Sequence, residues 1–330
     1  MAVILLSIII FQVCKGGCGD KPGVWIDSGI HAREWIGPAV GTWMLRELVE
    51  NNFDHPDLTE RLDWYFLPVL NADGYHLSRQ NNKTRFWRKS TSGNPNISDF
   101  PSVGNELTMN NWMNKFGVDL NRNFDYLWGT TGHPSLKSNE YPGPAVFSEV
   151  ETRNVRDFIL PQKDQIKLFI SLHSFGQLIL TPGNKSVAAS KKVKDLAREA
   201  NNALESVNGE PYTIGCGESL LSYPLSGDTA DWAYWTVGIP YAYTIELRPT
   251  LKNGIKRRLQ PTIKNRKMLE KGLRLPEDQI IPNAKEVWAW HKVAARTIID
   301  EFGPFFPHRE QLQKKPSLMF QSCLPASSTS

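Results

Sequence analysis

Four short runs of apolar, β-branched and aromatic residues punctuate this chain: GVWIDSGI at 23–30, WYFLPVL at 64–70, KLFISL at 167–172 and YAYTIEL at 241–247. Their apolar character is continuous instead of alternating, the pattern of strands covered on both faces of a sheet. Segments with helical spacing lie between and after them: EWIGPAVGTWMLRELVENN, SEVETRNVRDFIL, SVAASKKVKDLAREANNALESV and NAKEVWAWHKVAARTIIDEFG. Strands alternating with helices predict an α/β fold. With 330 residues, 40% of them apolar and 11% aromatic, the chain can fill the core such a sheet needs. We expect a single domain over residues 23–303, built on a mixed, mostly buried β-sheet flanked by helices. Residues 1–22 form an apolar N-terminal segment, read either as the core of a signal peptide or as a strand. Residues 304–330 read as a disordered tail rich in Ser and Pro.

Charge narrows the function classes. The net charge is +4, but residues 251–274 hold nine Lys/Arg against one Glu, so the rest of the chain carries −4. A nucleic-acid face needs basic residues spread over the fold with aromatics interleaved; one local run is a solvated loop. No nucleic-acid partner is expected. The apolar start MAVILLSIIIFQV is too short to span a bilayer as a helix, which takes about 20 residues. Cys14, Cys18, Cys216 and Cys323 match no zinc-knuckle spacing. Sequons at Asn82, Asn96 and Asn184 are compatible with secretion.

Polar residues follow the apolar runs in a consistent way. His31 and Glu34 follow the first run, Asn71 and Asp73 the second and His173 the third, while Glu246 lies near the end of the fourth. In open α/β sheets the ligand crevice lies beyond the carboxyl ends of the strands, so these residues converge there. A buried histidine taken singly is a packing residue by default. Two His and two Glu at the ends of different strands are hard to explain as packing. Catalytic zinc takes three protein ligands and keeps a position open for water, and His31, Glu34 and His173 supply the His2Glu combination. Glu246 is then the candidate base that takes a proton from that water.

At this point the motifs resemble those of the zinc metallocarboxypeptidases of the pancreatic A/B type. IHAREW resembles the family's first zinc motif, SLHSF the strand end with the third ligand, and IEL followed by Arg248 the segment with the catalytic glutamate. The resemblance implies a hydrolase that removes the C-terminal residue of peptides and proteins, with one zinc ion per chain on His31, Glu34 and His173 and with Glu246 as catalytic base. FWRKS places Arg88 where the family has an arginine that polarises the scissile carbonyl. DLNRNF places Asn121 and Arg122 where it binds the terminal carboxylate, and Asp119 where a carboxylate orients a zinc-bound histidine. Arg33 matches an arginine on the path to outer subsites, and Tyr223 the mobile tyrosine that closes over the C-terminal side chain.

Ala230 matches the pocket-floor position, aliphatic in relatives that remove apolar residues and aspartate in those that remove Lys or Arg. Asp228, two residues earlier, is either a turn residue or a second pocket charge, so the expected preference is apolar or mixed. Only 30 residues precede His31, where the family has a further helix and edge strands, so the domain is expected to be truncated at its N-terminus. The stretch from Thr250 to Leu275 is longer than the family pattern. The leading expectation is an active, secreted, monomeric exopeptidase; the alternative is a catalytically impaired or vestigial peptide-binding protein of the same fold.

Overall fold

The computed structural model describes residues 9–93, 115–131, 135–183, 188–221, 225–250 and 270–303, and the backbone of 318–323. The strands are β1 (Ile10–Lys15), β2 (Gly23–Ser28), β3 (Asp63–Leu67), β4 (Ile166–Ser174), β5 (Leu178–Thr181), β6 (Thr213–Cys216), β7 (Tyr241–Leu247) and β8 (Leu318–Cys323). The longer helices are α1 (Ile36–Glu50), α2 (Ala72–Arg79), α3 (Val150–Ile159), α4 (Lys191–Asn208) and α5 (Ile280–Phe302). All eight strands join one sheet in the order β6-β5-β7-β4-β2-β3-β1-β8. Its centre, β7-β4-β2-β3, is parallel, whereas β1 and β5 run antiparallel to β3 and β7, so the sheet is mixed.

The four apolar runs are the four central strands, and both of their faces are covered. Val24, Ile26, Leu168, Ile170, Tyr243 and Ile245 pack under α1, α4 and α5. The alternate residues Trp25, Tyr65, Phe169 and Ala242 pack on the opposite face with Leu120, Phe124, Val155 and Ile159. Each large side chain so buried contributes roughly 1.5–3 kcal/mol on leaving water. The helices follow from spacing: α4 buries Val193, Leu196, Ala197, Ala200 and Leu204 as one stripe. It stops at Gly209, whose φ of 73° is the left-handed conformation that glycine tolerates.

The β3 run ends at Leu67 because Pro68 has no N–H for the ladder, and the Leu70 N–H turns back to the Ser28 carbonyl. Gly29, at φ 68°, makes the opposing turn; a Cβ there would lie 3.1 Å from Pro38 Cγ and 3.4 Å from the Val69 Cα. This pair of turns carries the chain from β2 over the sheet edge to His31.

The sheet takes in more chain than the 23–303 core. Ile10–Lys15 runs inside it, between β3 and β8, so this part of the N-terminal segment is a strand. Leu318–Cys323, within the expected tail, pairs with β1. Cys14 and Cys18 form a disulfide, and Cys216 is a free thiol. Among the described residues no helix is long and apolar enough to cross a membrane. Residues 251–269, most of the basic run, lie outside the described residues, as does Tyr223.

Candidate active site

His31 and Glu34 sit in the turn between β2 and α1, where the Glu34 N–H donates to the His31 carbonyl. His173 is at the carboxyl end of β4, the strand that pairs directly with β2. His31 Nδ1 lies 2.9 Å from Glu34 Oε1, His173 Nδ1 lies 3.3 Å from Glu34 Oε2, and the two Nδ1 atoms are 3.2 Å apart. All three residues are buried, and their ligand atoms lie within 4.8 Å of one another.

The donor chemistry fits a cation. Asp119 Oδ1 lies 3.1 Å from His31 Nε2, so that nitrogen is held by a carboxylate while Nδ1 faces the second imidazole and Glu34. Ligand atoms at 2.0–2.2 Å around a tetrahedral zinc are about 3.3 Å apart. The observed triangle has that size. The Ser174 N–H donates to Glu34 Oε2 at 3.0 Å and fixes the carboxylate. Burial raises the Glu34 carboxyl, but the two histidines outweigh it and hold the group well below the usual carboxylate range.

Asp119 serves two neighbours. Its Oδ2 accepts from Arg88 Nη2 at 2.8 Å and Nε at 3.2 Å while Oδ1 faces His31. Burial would raise this carboxyl, but Arg88, His31 and Arg122 hold it well below its ordinary value. Arg88 is thereby aimed at the cluster, with Nη1 3.7 Å from Glu34 Oε1. Glu246 on β7 stands opposite His173 in the ladder register. Burial, opposed by His173 and reinforced by the Glu34 charge, pushes its carboxyl up to about 7.

The remaining candidates form a second group beside the first. Asn121 is buried and its Oδ1 accepts from the Thr229 N–H at 2.9 Å, tying it to the turn at 228–231. Arg122 is buried, donates through Nη1 to the Asn121 carbonyl and points Nη2 toward Glu140 at 3.9 Å. Arg33 has a buried Nε without a hydrogen-bond partner, and burial with the nearby Arg88 charge pulls its guanidinium down to about 10. Asp228 does act as a turn residue, because its Oδ1 accepts from the Asp231 N–H at 3.0 Å. Its Oδ2 is buried without a hydrogen-bond partner. Ala230 is buried within the apolar cluster that includes Phe124 and Trp232.

Asn71 has structural work: its Oδ1 accepts from the Gly74 N–H at the start of α2, and its Nδ2 donates to the Ile30 and Lys89 carbonyls. Two acidic residues of this region carry no signal in the sequence. Asp231 lies against Asp228, and burial together with that neighbouring charge raises its carboxyl to about 9. Glu140 comes from the loop after Ser135, where nothing in the local pattern SNEYPG points to a site.

The model of the zinc carboxypeptidase family matches residues 7–290. The chain is 35% identical over 297 residues to carboxypeptidase B of Astacus astacus, covering 89% of this chain and 86% of that protein. It is 38% identical over 262 residues to carboxypeptidase O of Homo sapiens, covering 76% of this chain and 64% of that one. Among solved structures it is similar to bovine thrombin-activatable fibrinolysis inhibitor in complex with tick carboxypeptidase inhibitor, with a TM-score of 0.69, 31% identity and coverage of 89% and 86%. It is also similar to carboxypeptidase A from Helicoverpa armigera, with a TM-score of 0.71, 28% identity and coverage of 89% and 66%.

Proposed function

Since the chain belongs to the zinc carboxypeptidase family, we propose that it is a secreted exopeptidase that hydrolyses the C-terminal peptide bond of peptides and proteins with one zinc ion on His31, Glu34 and His173. The observation that carries this reading is the convergence, from two strand ends, of two imidazoles and a carboxylate at mutual distances of 2.9–3.3 Å, with Glu246 in register beside them. Zinc supplies Lewis acidity to the scissile carbonyl and lowers the pKa of bound water to about 7.

The protein's own residues do the rest. Glu246 takes a proton from the attacking water and returns it to the leaving amine nitrogen as the peptide bond breaks. Arg88, held by Asp119, donates to the carbonyl oxygen as negative charge grows there. Asn121 and Arg122 receive the terminal carboxylate, for which a planar guanidinium is suited. The presence of the full ligand set, the base and the oxyanion donor together favours catalysis over a vestigial binding role. The Cys14–Cys18 disulfide and the exposed sequon at Asn82 support secretion.

The direct test compares blocked dipeptides that end in a free carboxylate with the same peptides amidated. Hydrolysis is expected only of the free acids, and only until a chelator removes the metal. Equal cleavage of the amides would exclude an exopeptidase.

For the side-chain preference we expect large apolar residues first and Lys or Arg measurably. The support is Asp228, whose unpartnered Oδ2 is buried close enough to Arg122 and His173 to feel their charges. Burial raises both carboxyls of the pair, Asp228 against the opposing pull of Arg122 and His173, and Asp231 to about 9. In Asp228→Asn the amide oxygen keeps the bond to the Asp231 N–H, so the turn survives and only the charge is lost. The ratio of Arg to Phe cleavage should fall by roughly ten- to a hundredfold, the worth of a charge-assisted bond. A ratio that does not move assigns Asp228 to the turn alone and the enzyme to the apolar-specific type.

A further inference from the structure

Glu140 has no part in the steps above, yet its loop is fastened to the site on both sides of it. The Asn139 carbonyl accepts from Arg88 Nε at 3.3 Å, and the Tyr141 carbonyl accepts from the Asp119 N–H at 2.8 Å. Between these anchors the Glu140 carboxylate comes to 3.9 Å from Arg122 Nη2. The Glu140 side chain is 40% exposed and that of Arg122 only 4% exposed, so the carboxylate caps the solvent side of a buried guanidinium. Its charge is also felt favourably by Arg33 and Arg88. The contact differs in kind from Arg88–Asp119, which is 2.8 Å long with its carboxylate wholly buried. At 3.9 Å, beyond hydrogen-bond length and with one partner in water, an ion pair is weak and yields to a competing anion.

Building on the exopeptidase reading, in which Arg122 receives the terminal carboxylate, we infer that Glu140 is a specificity-determining residue: a fixed negative charge at the mouth of the carboxylate subsite that selects for basic and against acidic penultimate residues. The terminal carboxylate shares Arg122 with Glu140. From there the peptide runs past Arg88 toward Arg33, so the penultimate side chain passes through the region in which the Glu140 charge acts on all three arginines. An acidic side chain there meets the like charge of Glu140, whereas Lys or Arg meets a partner in it. Selection of this kind works by repelling the wrong substrate as much as by attracting the right one.

The experiment uses the zinc-loaded full chain and three blocked dipeptides, Lys-Phe, Gly-Phe and Glu-Phe, with the variants Glu140→Gln and Glu140→Asp. In Glu140→Gln the Lys-Phe to Glu-Phe ratio of kcat/KM should fall about tenfold and KM for Gly-Phe should drop severalfold, the change being confined to KM. Glu140→Asp, which keeps the charge, should keep the ratio, and raising the salt should shrink the ratio of the unmodified enzyme. An unchanged ratio and KM in Glu140→Gln overturns the assignment, as does a loss of kcat with the ratio intact, the sign of a loop that merely supports Arg88 and Asp119. If the unmodified enzyme cleaves none of the three, the exopeptidase reading fails and the selector fails with it; cleavage without selection removes the selector alone.

Discussion

Replacing Glu246 by Gln is expected to lower kcat by roughly 10²- to 10⁴-fold, the usual contribution of a positioned general base, while zinc content stays at about one equivalent. The substitution is isosteric and lies within the parallel β4–β7 ladder, with Glu246 opposite His173 and one further pair beyond it, so the strand has no reason to move. Burial already pushes the Glu246 carboxyl up to about 7, which means that the fold bears a cost for the ionised form and is relieved of it by the amide. What the amide cannot do is take a proton from water. Turnover and metal content measured on the same preparation separate the two roles: a variant that loses zinc as well places Glu246 among the ligands, and one that turns over normally puts the base elsewhere.

The second large effect is expected at His173. Without its imidazole the cluster retains one histidine and one carboxylate, and zinc binding to His173→Ala should fall from about one equivalent to a small fraction, with activity lost alongside. A ligand that binds only the folded state stabilises it by mass action. A chelator should therefore lower the unfolding temperature of the unmodified protein and leave that of His173→Ala where it is. The variant retaining full zinc would exclude the ligand assignment. Because Ser174, the next residue, holds Glu34 through its backbone N–H, and not through a side chain, the substitution leaves the remaining two ligands in place.

The centre of the fold was legible because covered strands announce themselves. Trp25 and Phe169 face one side, Val24 and Ile170 the other, and both sides are apolar, so the runs are continuous. The outer strands lack that signature: β5 and β6 are four residues each, and the side chains of β6 are half-buried or exposed. The apolar stretch at the N-terminus was open to two readings, and antiparallel pairing of Phe11, Gln12 and Val13 with Phe66, Tyr65 and Trp64 makes residues 10–15 a strand. Helix α2 was hidden because its start depends on Asn71 accepting from Gly74, a local bond that apolar spacing does not report.

The candidate site was legible where its residues sit at strand ends and opaque where loops deliver them. His173 and Glu246 are placed by the ladder itself, and His31 by the turn directly after β2. Glu140 is placed by carbonyls of its neighbours bonding to Arg88 and Asp119, an arrangement that leaves no trace in residue type. Asp231 stands three residues after Asp228, but its raised carboxyl follows from sharing a buried corner, which only three dimensions define.

One carboxylate, Asp119, touches both the imidazole of His31 and the guanidinium of Arg88. The spacing between the proposed metal and the proposed oxyanion donor is therefore referred to a single common datum instead of to two independently positioned loops. When the backbone breathes, His31 and Arg88 shift together about that shared point, and positional errors that would otherwise add are largely cancelled. A change at residue 119 cannot retune one of the two partners while sparing the other. The tolerance of the whole centre is thus set by how rigidly one side chain, with no exposure to solvent, is seated at the start of the short 3-10 turn Leu120–Arg122.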